Sequence, residues 1–213
     1  MDYNFLSIRI NEGAEKSVCF SAGIHGDEPA GPEAMLKFIE NSEVPEDVFV
    51  MLFPVVNPWG FDKKVRTNIL RQDINRRFCD KVLIGEAKIA YGLLNKYPVN
   101  LFCSMHEWCG EKEFYMYASD KSKKRKLLSI PKMAGERFDI FDKRKINDEV
   151  VESGIIWHPD EGYDNIRSKC TLENKMYEDQ VHYICLETPS RADLQDRVNC
   201  QYGIMKYLIK EMV

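Results

Sequence analysis

Five short runs of β-branched, aromatic and sulfur-bearing apolar residues recur along the chain: SVCFSA at 17–22, DVFVMLFPVV at 47–56, VNLFCSM at 99–105, FYMYAS at 114–119 and VHYICLE at 181–187. Runs of this kind read as strands. Residues 29–41, about 80–97 and the stretch from Arg191 onward carry apolar positions at helical spacing, and Pro131 interrupts a further helical pattern between Lys123 and Phe138. Strands apolar on both faces must be covered on both, and the intervening helices supply the cover. The expected class is α/β: a single three-layer α/β/α domain over residues 1–213, built on a mixed, mostly parallel twisted sheet. At 213 residues the chain can bury one substantial core but hardly two. No internal repeat or Gly/Ser-rich joint divides it. Residues 142–176, polar and turn-rich, are expected to form long loops over the sheet, and loops of that length are often functional.

Charge and cysteine usage narrow the function classes. Thirty basic against 34 acidic side chains give a formal charge of −4, which disfavours nucleic acid as a partner because phosphate contacts require a cationic face. The one basic run, KSKKRK at 121–126, reads as a solvated helix start. No segment approaches the ~18 uninterrupted apolar residues of a membrane span, and the N-terminus lacks the pattern of a secretory signal. The expectation is a cytoplasmic protein with neither membrane nor nucleic-acid partner. Seven cysteines, scattered and without a CxxC pair, fit reduced thiols better than a disulfide framework. Cys19, Cys103 and Cys185 lie inside strand-like runs and read as core.

In open α/β sheets, sites form beyond the carboxyl ends of the strands. The first strand is followed by His25 and Glu28, the second by Asn57, Pro58 and Gly60, and the third by His106 and Glu107; the last ends at Glu187 and Thr188. His25 and Glu28, in HxxE spacing on a turn entering a helix, can reach one cation. His106 would complete a His₂Glu set, with a fourth position left for water or substrate. Read alone, HxxE is a weak signal and GIHGDEPAG reads as a helix start, with Asp27 or Glu28 near the helix dipole and His25 incidental. Glu187 is either a surface carboxylate or a functional one, since a carboxylate closing an apolar strand is costly without a task.

The segment from Asn57 to Phe78, NPWGFDKKVRTNILRQDINRRF, decides between these readings. It places Arg66, Asn68, Asp73, Asn75, Arg76 and Phe78 in the pattern RxNxxxxDxNRxF behind NPxGF. HxxE, NPxGF, RxN, DxNRxF, a later histidine and then a glutamate before a terminal helix, in this order, resemble the zinc carboxypeptidase family, the carboxypeptidase A-like funnelins, with their phosphorylase/hydrolase-like fold. The resemblance covers roughly residues 17–190. It implies one zinc ion per chain held by His25, Glu28 and His106. Glu187 would be the general base toward the water that the metal activates, then carry the proton to the leaving amine. Arg66 would stabilise the oxyanion, Asn75 and Arg76 would grip a substrate carboxylate, and Asp73 would orient His25.

Some residues depart from the pattern. Glu107 stands beside His106 and could compete as a ligand, but neighbours on an extended backbone point to opposite sides, which favours His106. Arg71 and Gln72 stand where many relatives carry glycine and a small apolar residue, a change of loop shape. The family's mobile tyrosine could be Tyr163 or Tyr177, with Tyr163 preferred; His158 and His182 have no counterpart and read as structural or surface residues. In length the chain is nearer to cytosolic relatives than to the secreted digestive enzymes. Those relatives are peptidoglycan-peptide amidases and the succinylglutamate desuccinylase and aspartoacylase group. The resemblance therefore implies hydrolysis of an amide beside a carboxylate, in a small peptide or an N-acyl amino acid. The RxNxxxxDxNR spacing favours the peptidase branch over the deacylase. A non-catalytic carboxylate-binding module is the reading from another class. A serine or cysteine hydrolase is disfavoured, since no GxSxG elbow occurs.

Overall fold

The computed structural model describes residues 3–109, 112–141, 145–146, 149–158 and 170–213. Its centre is a mixed sheet with ten strands among the described residues. The strands are β1 (Ile8–Ile10), β2 (Lys16–Ala22), β3 (Val48–Phe53), β4 (Leu101–Trp108), β5 (Glu113–Ala118), β6 (Asp139–Ile140), β7 (Lys145–Ile146), β8 (Glu149–Glu152), β9 (Ile155–Trp157) and β10 (His182–Pro189). They run in the order β1-β3-β2-β4-β10-β5-β9-β8-β7, with β6 beside β5. The neighbours β3, β2, β4 and β10 are all parallel, whereas β1 pairs antiparallel with β3 and β5 antiparallel with β10.

Helices cover both faces, as the two-sided apolar strands require. On one face lie α1 (Ala30–Asn41), the short α4 (Lys124–Leu127) and α5 (Ser129–Ala134), and α7 (Leu194–Glu211). They close over Val18, Phe20, Cys103, Met105, Met116, Ile184 and Leu186. In α7 the buried positions Arg197, Val198, Gln201, Ile204, Met205 and Leu208 follow helical spacing, and Asp193 caps its start by accepting from the Gln195 and Asp196 amides. On the other face, α3 (Gly85–Lys96) and α6 (Leu172–Glu178) cover Cys19, Met51, Phe53 and Phe102. Each fully buried Phe side chain, such as Phe20, Phe53 or Phe102, contributes roughly 1.5–3 kcal/mol through area removed from water. The short α2 (Pro58–Lys63) is capped by Asn57, whose side chain accepts from Gly60 N–H.

Two expectations are corrected. Residues 142–176 are not uniformly loop: they contain β7, the hairpin β8–β9 and the start of α6. The hairpin turns through Ser153 and Gly154, both at positive φ (51° and 80°), which suits a tight two-residue connection. Its strands are too short for their alternation to stand out. The thiols are not all reduced either, because Cys79 and Cys170 form a disulfide. The pairing is invisible in sequence because 91 positions separate the two residues. The backbone brings them together through Phe78 N–H, which donates to the Cys170 carbonyl at 3.1 Å. Among the described residues no helix is long and apolar enough to cross a membrane.

Candidate active site

The register of the sheet assembles the site. In the β4–β10 ladder His106 stands opposite Glu187, and in the β10–β5 ladder Glu187 stands opposite Tyr115, so the three side chains share one face at the carboxyl end of the central strands. The next residue, Glu107, falls on the other face. There it accepts from Ala30 N–H at 2.7 Å and ion-pairs with Arg197 of α7. This is the expected division of labour between His106 and Glu107.

The turn after β2 brings in His25 and Glu28. It lies flat against the Asn57–Gly60 turn: Gly26 N–H donates to the Val65 carbonyl, and a Cβ on Gly26 would come within 1.9 Å of the Gly60 carbonyl carbon. Gly60 is confined from within its own turn, since a Cβ there would sit 2.2 Å from the Asn57 side-chain nitrogen. The bare Gly26 lets the two motif turns touch immediately beside His25.

His25, Glu28 and His106 are all buried and offer donor atoms within 4.8 Å of one another. Both imidazoles point Nδ1 at the same carboxylate: His25 Nδ1 lies 2.7 Å from Glu28 Oε1 and His106 Nδ1 2.9 Å from Glu28 Oε2. Both outer nitrogens are held by carboxylates as well. His25 Nε2 is 3.2 Å from Asp73 Oδ1, and His106 Nε2 is 3.3 Å from Glu173 Oε1. A neutral imidazole that ligates through one nitrogen carries its proton on the other, and an outer acceptor fixes that tautomer. Two imidazole nitrogens and one carboxylate gathered this closely suit a single divalent cation. With no cation in place, burial would lower the pKa of both histidines, but the Glu28 charge outweighs it and both are raised, His106 strongly. The same pairing overcomes burial to pull Glu28 well below the carboxylate range and Glu173 down to about 2. Cation binding must displace those imidazole protons.

Around this triad, Asp73 does double duty. Its Oδ2 accepts from Arg66 Nε at 3.0 Å and pairs with Nη2 at 3.0 Å, and its Oδ1 caps the 3-10 turn Ile74–Arg76 through Asn75 N–H. Arg66, about half exposed, thereby reaches to 3.6 Å from Glu28 Oε1. Asn68 ties off its loop: the buried amide oxygen accepts from the Leu70 and Gln72 amides, and Arg71 completes the turn at a φ of 56°. Glu187 carries a pKa raised to about 7, chiefly by burial and against the pull of His106.

The predicted residues do not all meet at the triad. His25, Glu28, His106, Glu187, Arg66 and Asp73 converge. Asn75 is buried with both ends of its amide committed: Oδ1 accepts from Leu172 N–H at 2.9 Å and Nδ2 donates to Glu173 Oε2 at 3.3 Å. Arg76 is exposed, with its guanidinium turned back onto the Asn75 carbonyl. Tyr163 lies outside the described residues, and Tyr177 stacks on His158 with ring centroids 3.9 Å apart. His158 also bonds the Tyr183 hydroxyl, while His182 lies at the surface; both fit the structural or surface reading. Asp27 is exposed. Glu173 escaped the sequence reading altogether, because in TLEN it looks like any acidic residue in the first turn of a helix.

Residues 14–92 match the family model of the succinylglutamate desuccinylase/aspartoacylase catalytic domain. No curated protein matches the chain. Among solved structures, a candidate metallopeptidase from Shewanella amazonensis superposes with a TM-score of 0.83 at 23% identity, covering 96% of this chain and 81% of that one. The tripeptide-bound cell shape determinant Csd4 from Helicobacter pylori gives 0.74 at 14% identity, over 98% of this chain and 55% of Csd4. A metallo-carboxypeptidase from Burkholderia cenocepacia gives 0.68 at 11%, over 95% and 60%. The resemblance drawn from the motifs is thus borne out: the chain matches a succinylglutamate desuccinylase/aspartoacylase catalytic domain over residues 14–92 and has the fold of the metallo-carboxypeptidases.

Proposed function

We propose that the protein is a zinc-dependent amide hydrolase that cuts next to a substrate carboxylate, with a carboxypeptidase-like action on small peptides as the leading reading. The observation that carries it is the convergence of two Nδ1 atoms on Glu28, with Glu187 in register beside His106 on the neighbouring strand. When bound between His25, Glu28 and His106, a zinc ion supplies an acidified water and polarises the scissile carbonyl. Glu187 accepts a proton and returns it to the leaving nitrogen, a task for which a pKa of about 7 is well matched. Arg66, steadied by Asp73, offers N–H groups where charge grows on the carbonyl oxygen. Arg76, exposed at the rim, takes the substrate carboxylate; Asn75 serves this grip indirectly, by fixing the backbone that carries Arg76.

The family match over residues 14–92 supports a second reading within the same chemistry, an N-acyl amino-acid deacylase, and a peptidoglycan-peptide amidase would use the same groups. Assaying the zinc-loaded protein and its Glu187→Gln variant against C-terminal peptides, N-succinylglutamate and N-acetylaspartate separates them. Turnover of peptides alone supports the leading reading and turnover of acyl amino acids alone the second. A zinc-loaded protein that turns over neither loses the hydrolase reading.

A further inference from the structure

The two candidate histidine ligands stand in matching surroundings, yet the motifs account for only one of the outer carboxylates. Asp73 belongs to DxNR and holds His25 Nε2 at 3.2 Å. Glu173 belongs to no motif, comes from α6 a hundred positions after Asp73, and holds His106 Nε2 at 3.3 Å. We propose that Glu173 is a positioning residue for metal binding, doing for His106 what Asp73 does for His25, and that through Asn75 it links the metal's outer shell to the substrate-gripping segment. The inference rests on the metal reading above.

Burial gives this contact its weight. Glu173 is 5% exposed, and a carboxylate there is stable only if its oxygens are satisfied. Oε1 has the His106 ring and Oε2 the Asn75 amide, so each oxygen has a partner. With Glu173 as acceptor, the His106 proton is held on Nε2 and Nδ1 is left free to face Glu28, 2.9 Å away. The backbone keeps the arrangement in place: Leu172 N–H donates to Asn75, Thr171 caps α6, and the Cys79–Cys170 bond joins the two segments just outside it. A rival use of the same atoms exists, because His106, Glu173 and Cys185 also lie close enough together to surround a cation. That site would need His106 Nε2 without its proton while Nδ1 serves the first cation, which a neutral imidazole cannot supply.

The test compares wild type, Glu173→Gln, Glu173→Ala, Asp73→Asn and Cys185→Ala, all stripped of metal. Zinc affinity is read by competition with a chromogenic chelator, cobalt(II) loading by its visible spectrum, and the fold by thermal unfolding of the metal-free forms. Glu173→Gln keeps shape and one acceptor oxygen but loses the charge and turns a second donor toward Asn75 Nδ2, so its metal-free form should still unfold cooperatively, somewhat earlier than wild type, while zinc affinity falls about 10–100-fold, as with Asp73→Asn, and the cobalt bands shift. Glu173→Ala should lose at least as much affinity; if it fails to fold, the glutamine variant still decides. Cys185→Ala should bind as wild type does, with one zinc per chain. Zinc affinity of Glu173→Gln within about threefold of wild type, with an unchanged cobalt spectrum, overturns the proposal. So does a second zinc that disappears in Cys185→Ala. A wild type that binds zinc but hydrolyses nothing sinks the hydrolase reading and leaves this one standing, whereas a wild type that binds no zinc removes the metal reading beneath both.

Discussion

Replacing both Cys79 and Cys170 by serine should cost the protein a large part of its stability. The bond joins residues 91 apart, and in the chain-entropy account such a cross-link removes about 4.6 kcal/mol of freedom from the unfolded chain. For a domain of this size each kcal/mol is worth roughly 2–4 °C, so Tm of the metal-free double variant should fall by about 9–18 °C. Little native-state packing offsets this, because Cys79 is exposed and Cys170 only half-buried. The local effect is separate: α6 begins at Leu172, so loosening its start should also weaken zinc binding. Thermal scans with a chelator give the first quantity and a zinc competition the second. Thiol titration of the unfolded, unreduced wild type shows directly whether the bond exists, since five free cysteines accompany it. A Tm loss below about 3 °C would refute the entropic reasoning, and seven titrating thiols would refute the bond.

Other consequences follow from the site. Glu187→Gln should lower kcat by about 10²–10⁴-fold while zinc content stays at wild-type level; loss of metal instead would place Glu187 among the ligands. Without metal, stability should peak near about pH 5 and fall as the pH rises. Glu187 is raised from 4.5 to about 7, so its contribution is lost across that interval. The raised His25 and His106 stabilise below 6.5 and lose this as pH climbs through their folded values. Glu28 and Glu173, lowered from 4.5, and Asp73, lowered from 3.8, lose theirs only as the pH falls below those values. Urea unfolding with a chelator at pH 5, 7 and 8.5 checks the order, and greater stability at pH 8.5 than at pH 5 would contradict it. Gly26→Ala should destabilise by roughly 1–3 kcal/mol or more, because the new methyl meets backbone at 1.9 Å, and should lower zinc affinity by displacing His25; an unchanged unfolding curve would show that the two turns can separate freely.

Much of this was readable in the chain because short-range patterns encode it. The five apolar runs became β2, β3, β4, β5 and β10 with shifts of only a few residues at their ends. The strand period alone put His106 and Glu107 on opposite faces, and Glu107 duly went to Arg197. Pro131 lies within α5, and the helical pattern is broken just before it, at Leu128. What could not be read depends on distant segments meeting. Glu173 is an unremarked acid until α6 is laid beside His106, and Asn75 looks like a ligand-gripping amide until Leu172 and Glu173 claim both its ends. The Cys79–Cys170 pairing likewise exists only once the segment after DxNR and the start of α6 are neighbours. The short strands β7, β8 and β9 rest on pairing rather than propensity, and they fell inside what composition marks as loop.

The position of β10 matters for how the molecule is made. Residues 182–189 lie between β4 and β5, both of which leave the ribosome long before them. Until this strand arrives, each of those neighbours presents a bare edge able to pair with another chain, and its insertion is a non-local step of the slow kind. The same strand brings Glu187. A nascent chain stopped short of it has an open sheet and lacks Glu187, so closing the sheet and completing the candidate site are a single event that waits for residues 182–189.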